Sequence, residues 1–492
     1  MQRIALVLTI IVFSALPSPA LVSTNVPIGH WSYDAVDKLA NYGLIDSAML
    51  TIKPLTRIEM ARHVGQAMLT LERMDDAPAI LQSIVDRLQE EYRPELTLIG
   101  LVEGWHSESF IKPLEDPYGR YLYANHTPNI ENVRGDEFRR GSNYRAGFAT
   151  RGTVDRFAFY LHPEYADSSL DDGDVDLIEG YGKVMLGDFE IEAGKDSLWW
   201  GPGYHGSMLM SNNALPLTMI QVTNPQPIQL PWILRALGPV RGQWFLAQLE
   251  EDRDFPEAKL SGVRLSIKPH PLVELGASRV AMFGGRGMPR VDFFDYAKMF
   301  LPSHEQAENN QLAGFDASLL VPLWKEAPLR SIRFYVDLAG EDEAGFLPSK
   351  WGELFGVQFN DILKTGRTDL RIEYANDHVS GFDDLFYTHS VYTSGYTYEG
   401  RIIGHHMGTN SSDLFVQLSH YLTRDLLLDL SYDRQTSDLR TDDEASRDIY
   451  EAGLTFFASK DWRIDAAYRY ENGSAAGDDD NHIIQVGLTR KF

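Results

Sequence analysis

From about residue 95 onward, apolar and polar side chains alternate with period two, and this alternation constrains the fold more than any other feature. Ile332, Phe334, Val336 and Leu338 alternate with Ser331, Arg333, Tyr335 and Asp337, and Trp462, Ile464, Ala466 and Tyr468 with Arg463, Asp465, Ala467 and Arg469. Period two sends successive side chains to opposite faces of a strand, so each segment has one apolar and one polar face. Such segments recur roughly every 20 residues, divided by stretches rich in Gly, Asp and Asn such as 167–174 and 473–481. A soluble sandwich turns every 8 to 12 residues, whereas a membrane barrel needs strands of about 10 residues joined by short turns and long loops. About 398 residues at about 22 per strand and connection predict an all-β chain, a transmembrane antiparallel β-barrel of about 18 strands. A large soluble sandwich or propeller is the competing all-β reading.

The start of the chain is consistent with export. Arg3, the apolar run Ile4 to Leu16 and Ser18-Pro19-Ala20 form the pattern of a secretory signal over residues 1–20. The chain has no Cys, which excludes a disulfide framework, a thiolate zinc site and a cysteine nucleophile. No run of 18 apolar residues follows the signal, so a membrane crossing falls to strands. Lys and Arg number 45 against 70 Asp and Glu, a net charge of −25 with no basic tail, which argues against nucleic acid as a partner. The last strand carries Ile484, Val486 and Leu488 on one face and ends on Phe492. This resembles the signal read by the outer-membrane barrel assembly machinery, although Arg490 stands where an aromatic is usual.

Residues 21–93 read as a small periplasmic helical module. Thr56 and Glu59 spell a capping box ahead of a helix expected to run to about Arg73. A second helix is predicted from Asp76 as N-cap and Pro78 in the first turn, with Ile80, Leu81, Ile84, Val85 and Leu88 on one face and Pro94 closing the region. A unit of this size buries little by itself and is expected to dock on the mouth of a barrel spanning 94–492.

The most distinctive text is Gly194 to Tyr204, followed by Leu209 to Ala214. Gly201, Gly203 and Gly206 have the spacing of a dinucleotide fingerprint, but no βαβ pattern surrounds them. Trp199, Trp200, Tyr204, Asn212 and Asn213 are candidate polysaccharide contacts, since aromatic faces pack on sugar C–H groups and amides meet hydroxyls. The alternative is that the tryptophans belong to an interfacial girdle and the Gly-Pro turn only reverses the chain. Arg134, Arg139, Arg140, Arg145, Arg151 and Arg156 cluster, and Arg139, Arg140 and Arg145 are candidates for carboxylates of an acidic polymer or lipopolysaccharide phosphates. Lining a polar lumen is the other use for them. The acidic runs at 171–174 and 478–480 lack EF-hand spacing and read as solvated loop tips, so neither a metal nor a cofactor is expected. The zinc-hydrolase, nucleophile-elbow and P-loop motifs are absent from the sequence, and a non-catalytic role is expected.

The block from Gly194 to Ala214, together with Asn310 to Asp316 and Asp337 to Asp342, resembles the capsule assembly Wzi family of outer-membrane barrels. The resemblance implies a large closed barrel in the outer membrane that assembles, exports or attaches capsular or extracellular polysaccharide. Its implied partners are that polymer, outer-membrane lipids and lipopolysaccharide. A porin-type channel for small solutes is the competing function. Within the module, Gly29-His30-Trp31, Ala35, Val36, Leu39, Gly43-Leu44-Ile45 and Leu55 to Ala61 resemble a single S-layer homology repeat. That resemblance makes Trp31 and Arg57 candidate contacts for a cell-wall polymer, against the simpler reading that the module packs on the barrel.

Overall fold

The computed structural model describes residues 21–491 apart from 76, 105–106, 108, 171, 301–308, 345–346, 382–384, 442 and 475–479. The secretory signal, the Asp76 cap, Asp171, Asp478, Asp479 and the terminal Phe492 therefore lie outside the described residues. The strands are β1 (Phe110–Ala124), β2 (Gly141–Val154), β3 (Phe157–Ser168), β4 (Asp174–Leu186), β5 (Phe189–Asp196) and β6 (Leu217–Thr223). They continue as β7 (Pro239–Gln248), β8 (Lys259–His270), β9 (Val273–Phe283), β10 (Asn309–Pro322), β11 (Ser331–Ala344) and β12 (Leu347–Ile362). The last six are β13 (Thr368–Asn376), β14 (Ser412–Tyr421), β15 (Leu426–Ser437), β16 (Ala445–Phe457), β17 (Trp462–Asn472) and β18 (Asn481–Arg490). Among the described residues these eighteen strands form one closed antiparallel barrel. Each pairs with its neighbours in sequence, and β1 closes on β18 from Tyr118–Thr489 to Ala124–Ile483. Closure is what hydrocarbon demands, because an unpaired backbone group there costs several kcal/mol. No described helix is long and apolar enough to cross a membrane.

The alternation has the polarity of a membrane barrel. On β11, Phe334 is exposed while Ser331, Arg333, Tyr335 and Asp337 are buried, and on β18 Ile484, Val486 and Leu488 face outward. The apolar face therefore meets lipid and the charged face is enclosed. At one end the strands are joined by two-residue turns at 155–156, 187–188 and 271–272; at the other lie the connections 125–140, 249–258 and 377–411. Short turns mark the periplasmic end of such barrels and long loops the cell surface.

Helices α1 (Ser32–Tyr42), α2 (Arg57–Leu71), α3 (Ala79–Glu91) and α4 (Arg93–Leu98) fill the short-turn end. The capping box forms as expected: Thr56 Oγ1 accepts from the Glu59 backbone, and the Glu59 carboxylate accepts from Thr56 N at 2.7 Å. Gly43 ends α1 in the left-handed conformation at φ 92°, where its N–H and that of Leu44 reach back to Ala40 and Leu39. The sequence expectation fails at Pro94, which opens α4 where it was expected to close the region. A proline in the first turn forfeits no intrahelical hydrogen bond, so helix continues to Leu98. Val36, Leu39, Met60, Val64, Leu81, Leu88 and Leu96 form the core of this segment, and Tyr421 of β14 packs into it from the wall.

The helical segment is tied to strands around the whole ring. Lys38 meets Asp369 of β13 at 2.6 Å, and Asp37 accepts from Arg371 at 3.1 Å and from Arg333 of β11. Thr51 donates to Glu274 of β9 at 2.6 Å, Arg241 of β7 meets Glu59 at 3.1 Å, and Lys183 of β4 donates to Asn25 at 2.6 Å. The segment thus plugs the short-turn end of the barrel.

Candidate functional site

Above the plug, the connection 197–216 turns into the lumen. Trp199 and Trp200 pair as a short strand with Lys53 and Ile52 of the helical segment. Both tryptophans are enclosed, at 4% and 1% exposure, inside the barrel and away from its interfacial rims. Trp200 Nε1 donates to Gln243 on β7 at 2.6 Å, and its ring meets Phe245 edge-on at 5.4 Å. Trp199 carries the Lys53 ammonium over its face at 5.3 Å, and its Nε1 finds no acceptor among the described residues. Gly201 has φ +127°, and a Cβ there would run into the Asp337 carboxylate, so the turn after the tryptophans depends on glycine.

Wall carboxylates hold the rest of the loop. Glu373 on β13 accepts the backbone N–H groups of Tyr204 and His205 at 2.9 Å each, and the Tyr335 hydroxyl at 2.7 Å. Asp337 on β11 accepts Met208 N at 3.1 Å. Arg371 lies over the Tyr204 ring at 4.0 Å. Asn212 donates to Asn132 O at 3.2 Å and Asn213 to Ile402 O at 3.0 Å, so both amides bind backbone of other loops.

The second inward connection, 377–411, was not anticipated from the sequence. Tyr387 donates to Met208 O at 2.6 Å and Tyr396 to Leu209 O at 3.0 Å, while Ser211 N donates to Ile403 O at 2.9 Å. Phe386, Tyr387, Tyr392 and Tyr396 are buried in one cluster with Trp200, Met208 and Leu209. Its signal was present in the text: a 35-residue gap between strands that is too rich in Tyr and His for a solvated loop.

The arginine cluster divides. Arg145 binds Asp136 at 2.9 Å, Arg151 binds Glu115 at 2.6 Å and Glu95 at 3.0 Å, and Arg134 meets Glu179 at 3.5 Å, all in the interior. Arg139 and Arg140 are exposed at the long-loop end, just ahead of β2. In the plug, Arg57 is buried against Glu91 at 3.2 Å and Glu95 at 2.8 Å, and Trp31 packs edge-on to Phe457 of β16 at 5.3 Å.

Between the plug and the wall formed by β1–β3 and β16–β18 lies a cavity of about 660 Å³, lined among others by His30, Trp31, Arg57, Tyr118, Arg134 and Asn212. Its volume falls in the range of small-molecule sites. Burial pushes the His30 imidazole down to about 4, with Glu91 pulling the other way. For Glu91 burial acts upward, yet Lys491 and Arg57 hold its carboxyl well below the ordinary range.

An apolar outer belt, a charged inner face and a lumen filled by a helical plug and two inward loops define a closed outer-membrane β-barrel. The chain belongs to the capsule assembly protein Wzi family, whose model matches residues 123–482. The solved structure of Escherichia coli Wzi, described as an outer-membrane protein involved in group 1 capsule assembly and a carbohydrate-binding β-barrel, superposes with a TM-score of 0.74 at 20% identity. That superposition covers 96% of this chain and 100% of the other. An uncharacterized 55.8 kDa protein in the cps region of Klebsiella pneumoniae is 33% identical over 182 residues, a match spanning 36% of each chain. Pseudomonas aeruginosa OpdL aligns with a TM-score of 0.49 at 11% identity, over 77% of this chain and 98% of that one.

Proposed function

We propose that this chain acts without catalysis in the assembly, export or surface attachment of capsular or extracellular polysaccharide. The observation that carries this reading is the filled lumen, in which α1–α4, the 197–216 loop and the 377–411 loop hydrogen-bond to one another and to the wall. A barrel so occupied offers its outer rim to a polymer in place of a pore. The family and the carbohydrate binding described for the Escherichia coli relative support the choice of ligand.

In this proposal Arg139 and Arg140 meet acidic groups of the polymer or of lipopolysaccharide at the cell surface. Trp199, Trp200, Tyr204, Asn212 and Asn213 act through the loop they hold in place, since Trp199 and Trp200 present almost no open face. Arg145, Trp31 and Arg57 serve the interior in the same way. The barrel assembly machinery is the inserting partner.

Planar-bilayer conductance of the purified barrel, with and without the host's surface polysaccharide, tests the proposal. Low conductance with measurable polymer binding is expected. Large steady conductance indifferent to polymer would favour a solute channel instead.

A further inference from the structure

We propose that His205, His406, Asp413 and Asp433 form a site for one first-row divalent cation, Zn²⁺ by its ligand set, which clips both inward loops to the barrel wall. His205 comes from the 197–216 loop and His406 from the 377–411 loop, while Asp413 and Asp433 stand on the adjacent strands β14 and β15. One ligand atom from each of the four lies within 4.8 Å of all the others.

The spacing suits a metal. His406 Nε2 is 2.8 Å from Asp413 Oδ2, and His205 Nε2 is 3.2 Å from Asp433 Oδ2 and 3.9 Å from Asp413 Oδ2. Tetrahedral zinc with bonds of about 2.0–2.1 Å sets neighbouring ligand atoms about 3.3 Å apart, in the middle of these values. The side chains of His406, Asp413 and Asp433 are more than nine-tenths buried. With neutral imidazoles the four carry two negative charges, which a divalent ion cancels where water cannot.

Two further observations favour a ligand. Asp433 Oδ1 is buried and accepts no hydrogen bond among the described residues, although Oδ2 accepts from His205 and from Gln435. Both imidazoles are also held by ring contacts, His205 stacked on Phe415 at 4.0 Å and 7°, and His406 stacked on His405 at 4.5 Å. Nearby Glu131 is engaged elsewhere, since Arg469 binds both its oxygens at 3.0 Å. Nitrogen donors from two imidazoles favour zinc over calcium or magnesium, which take oxygen.

The test uses full-length, tag-free protein stripped with a chelator and titrated calorimetrically with Zn²⁺, with Ca²⁺ as control. One Zn²⁺ per chain, indifference to Ca²⁺, and loss of that binding in both His406→Gln and Asp413→Asn are expected. Co²⁺ in place of zinc should give the intense visible absorption of a tetrahedral site. Absence of Zn²⁺ binding in the unmodified protein overturns the proposal, and so does binding that both variants retain. Should neither variant fold, protease cleavage within 377–411 decides the matter in the unmodified protein: slowing by Zn²⁺ supports the clip, and an unchanged rate overturns it.

Discussion

Arg151 reaches from the barrel wall into the helical plug and meets Glu95 at 3.0 Å, on the same carboxylate oxygen that Arg57 of the plug binds at 2.8 Å. Wall and plug thus share one buried anion. Replacing Arg151 with Ala leaves Glu95 with Arg57 alone and Glu115 without its 2.6 Å partner. Breaking a buried pair in this way costs about 3–5 kcal/mol. The Arg151→Ala barrel is expected to show channel openings in bilayers that the unmodified barrel lacks, and a lower temperature for its heat-induced gel-mobility shift.

Glu373 gathers the N–H groups of Tyr204 and His205 and the Tyr335 hydroxyl on one carboxylate. Glu373→Ala leaves two partly buried backbone donors without their acceptor, at about 1 kcal/mol each. The expected outcome is a 197–216 loop cut by protease at a rate several-fold above that of the unmodified protein, read by mass spectrometry of the fragments.

Trp200→Ala removes a fully enclosed ring and leaves Gln243 without its donor, a loss of about 3–5 kcal/mol. Trp200→Phe keeps most of the packing but still leaves the buried Gln243 oxygen without its donor, about 1–3 kcal/mol. Polymer retention on cells should follow the same order, unmodified above Phe above Ala. Equal retention in all three would remove the loop from the function.

Acid should loosen the plug. His30 titrates near 4 in the folded protein, below its ordinary 6.5, so the unfolded state takes up its proton first as pH falls. The stability it contributes is complete above about 6.5 and declines between there and 4. The depressed Glu91 carboxyl adds a loss of the same sign as pH falls below the ordinary carboxylate range. Unfolding midpoints measured from pH 7 to 4 should drop, and His30→Asn should flatten the upper part of that fall.

Arg139→Glu combined with Arg140→Glu alters two exposed side chains at the surface end. The barrel should still fold and insert, since both side chains lie at the surface. Binding of an acidic capsular polymer in a pull-down should fall several-fold.

The strands were legible because lipid and lumen impose opposite demands on alternate residues. The Trp462–Tyr470 alternation lies within β17, and the Leu426–Tyr432 alternation within β15. The arginine cluster was not legible as a unit. Its members look alike in the text, yet Arg145 and Arg151 on β2 point inward to Glu95, Glu115 and Asp136, while Arg139 and Arg140 lie exposed just ahead of the strand. The inward course of 197–216 was hidden for a different reason. Its partners Glu373 and Asp337 lie more than a hundred residues away, and no local pattern encodes such a contact. Trp199 and Trp200 were visible as unusual; their enclosure depends on Ile52 and Lys53, far earlier in the chain.

The β1–β18 seam is where the ring must be open for anything to enter it sideways. Helices α1–α4 precede every barrel strand in the sequence, and the ring is continuous only once its first and last staves pair. A sheet still open along that seam can wrap the helical segment, and sealing it leaves that segment enclosed by strands that follow it in the sequence.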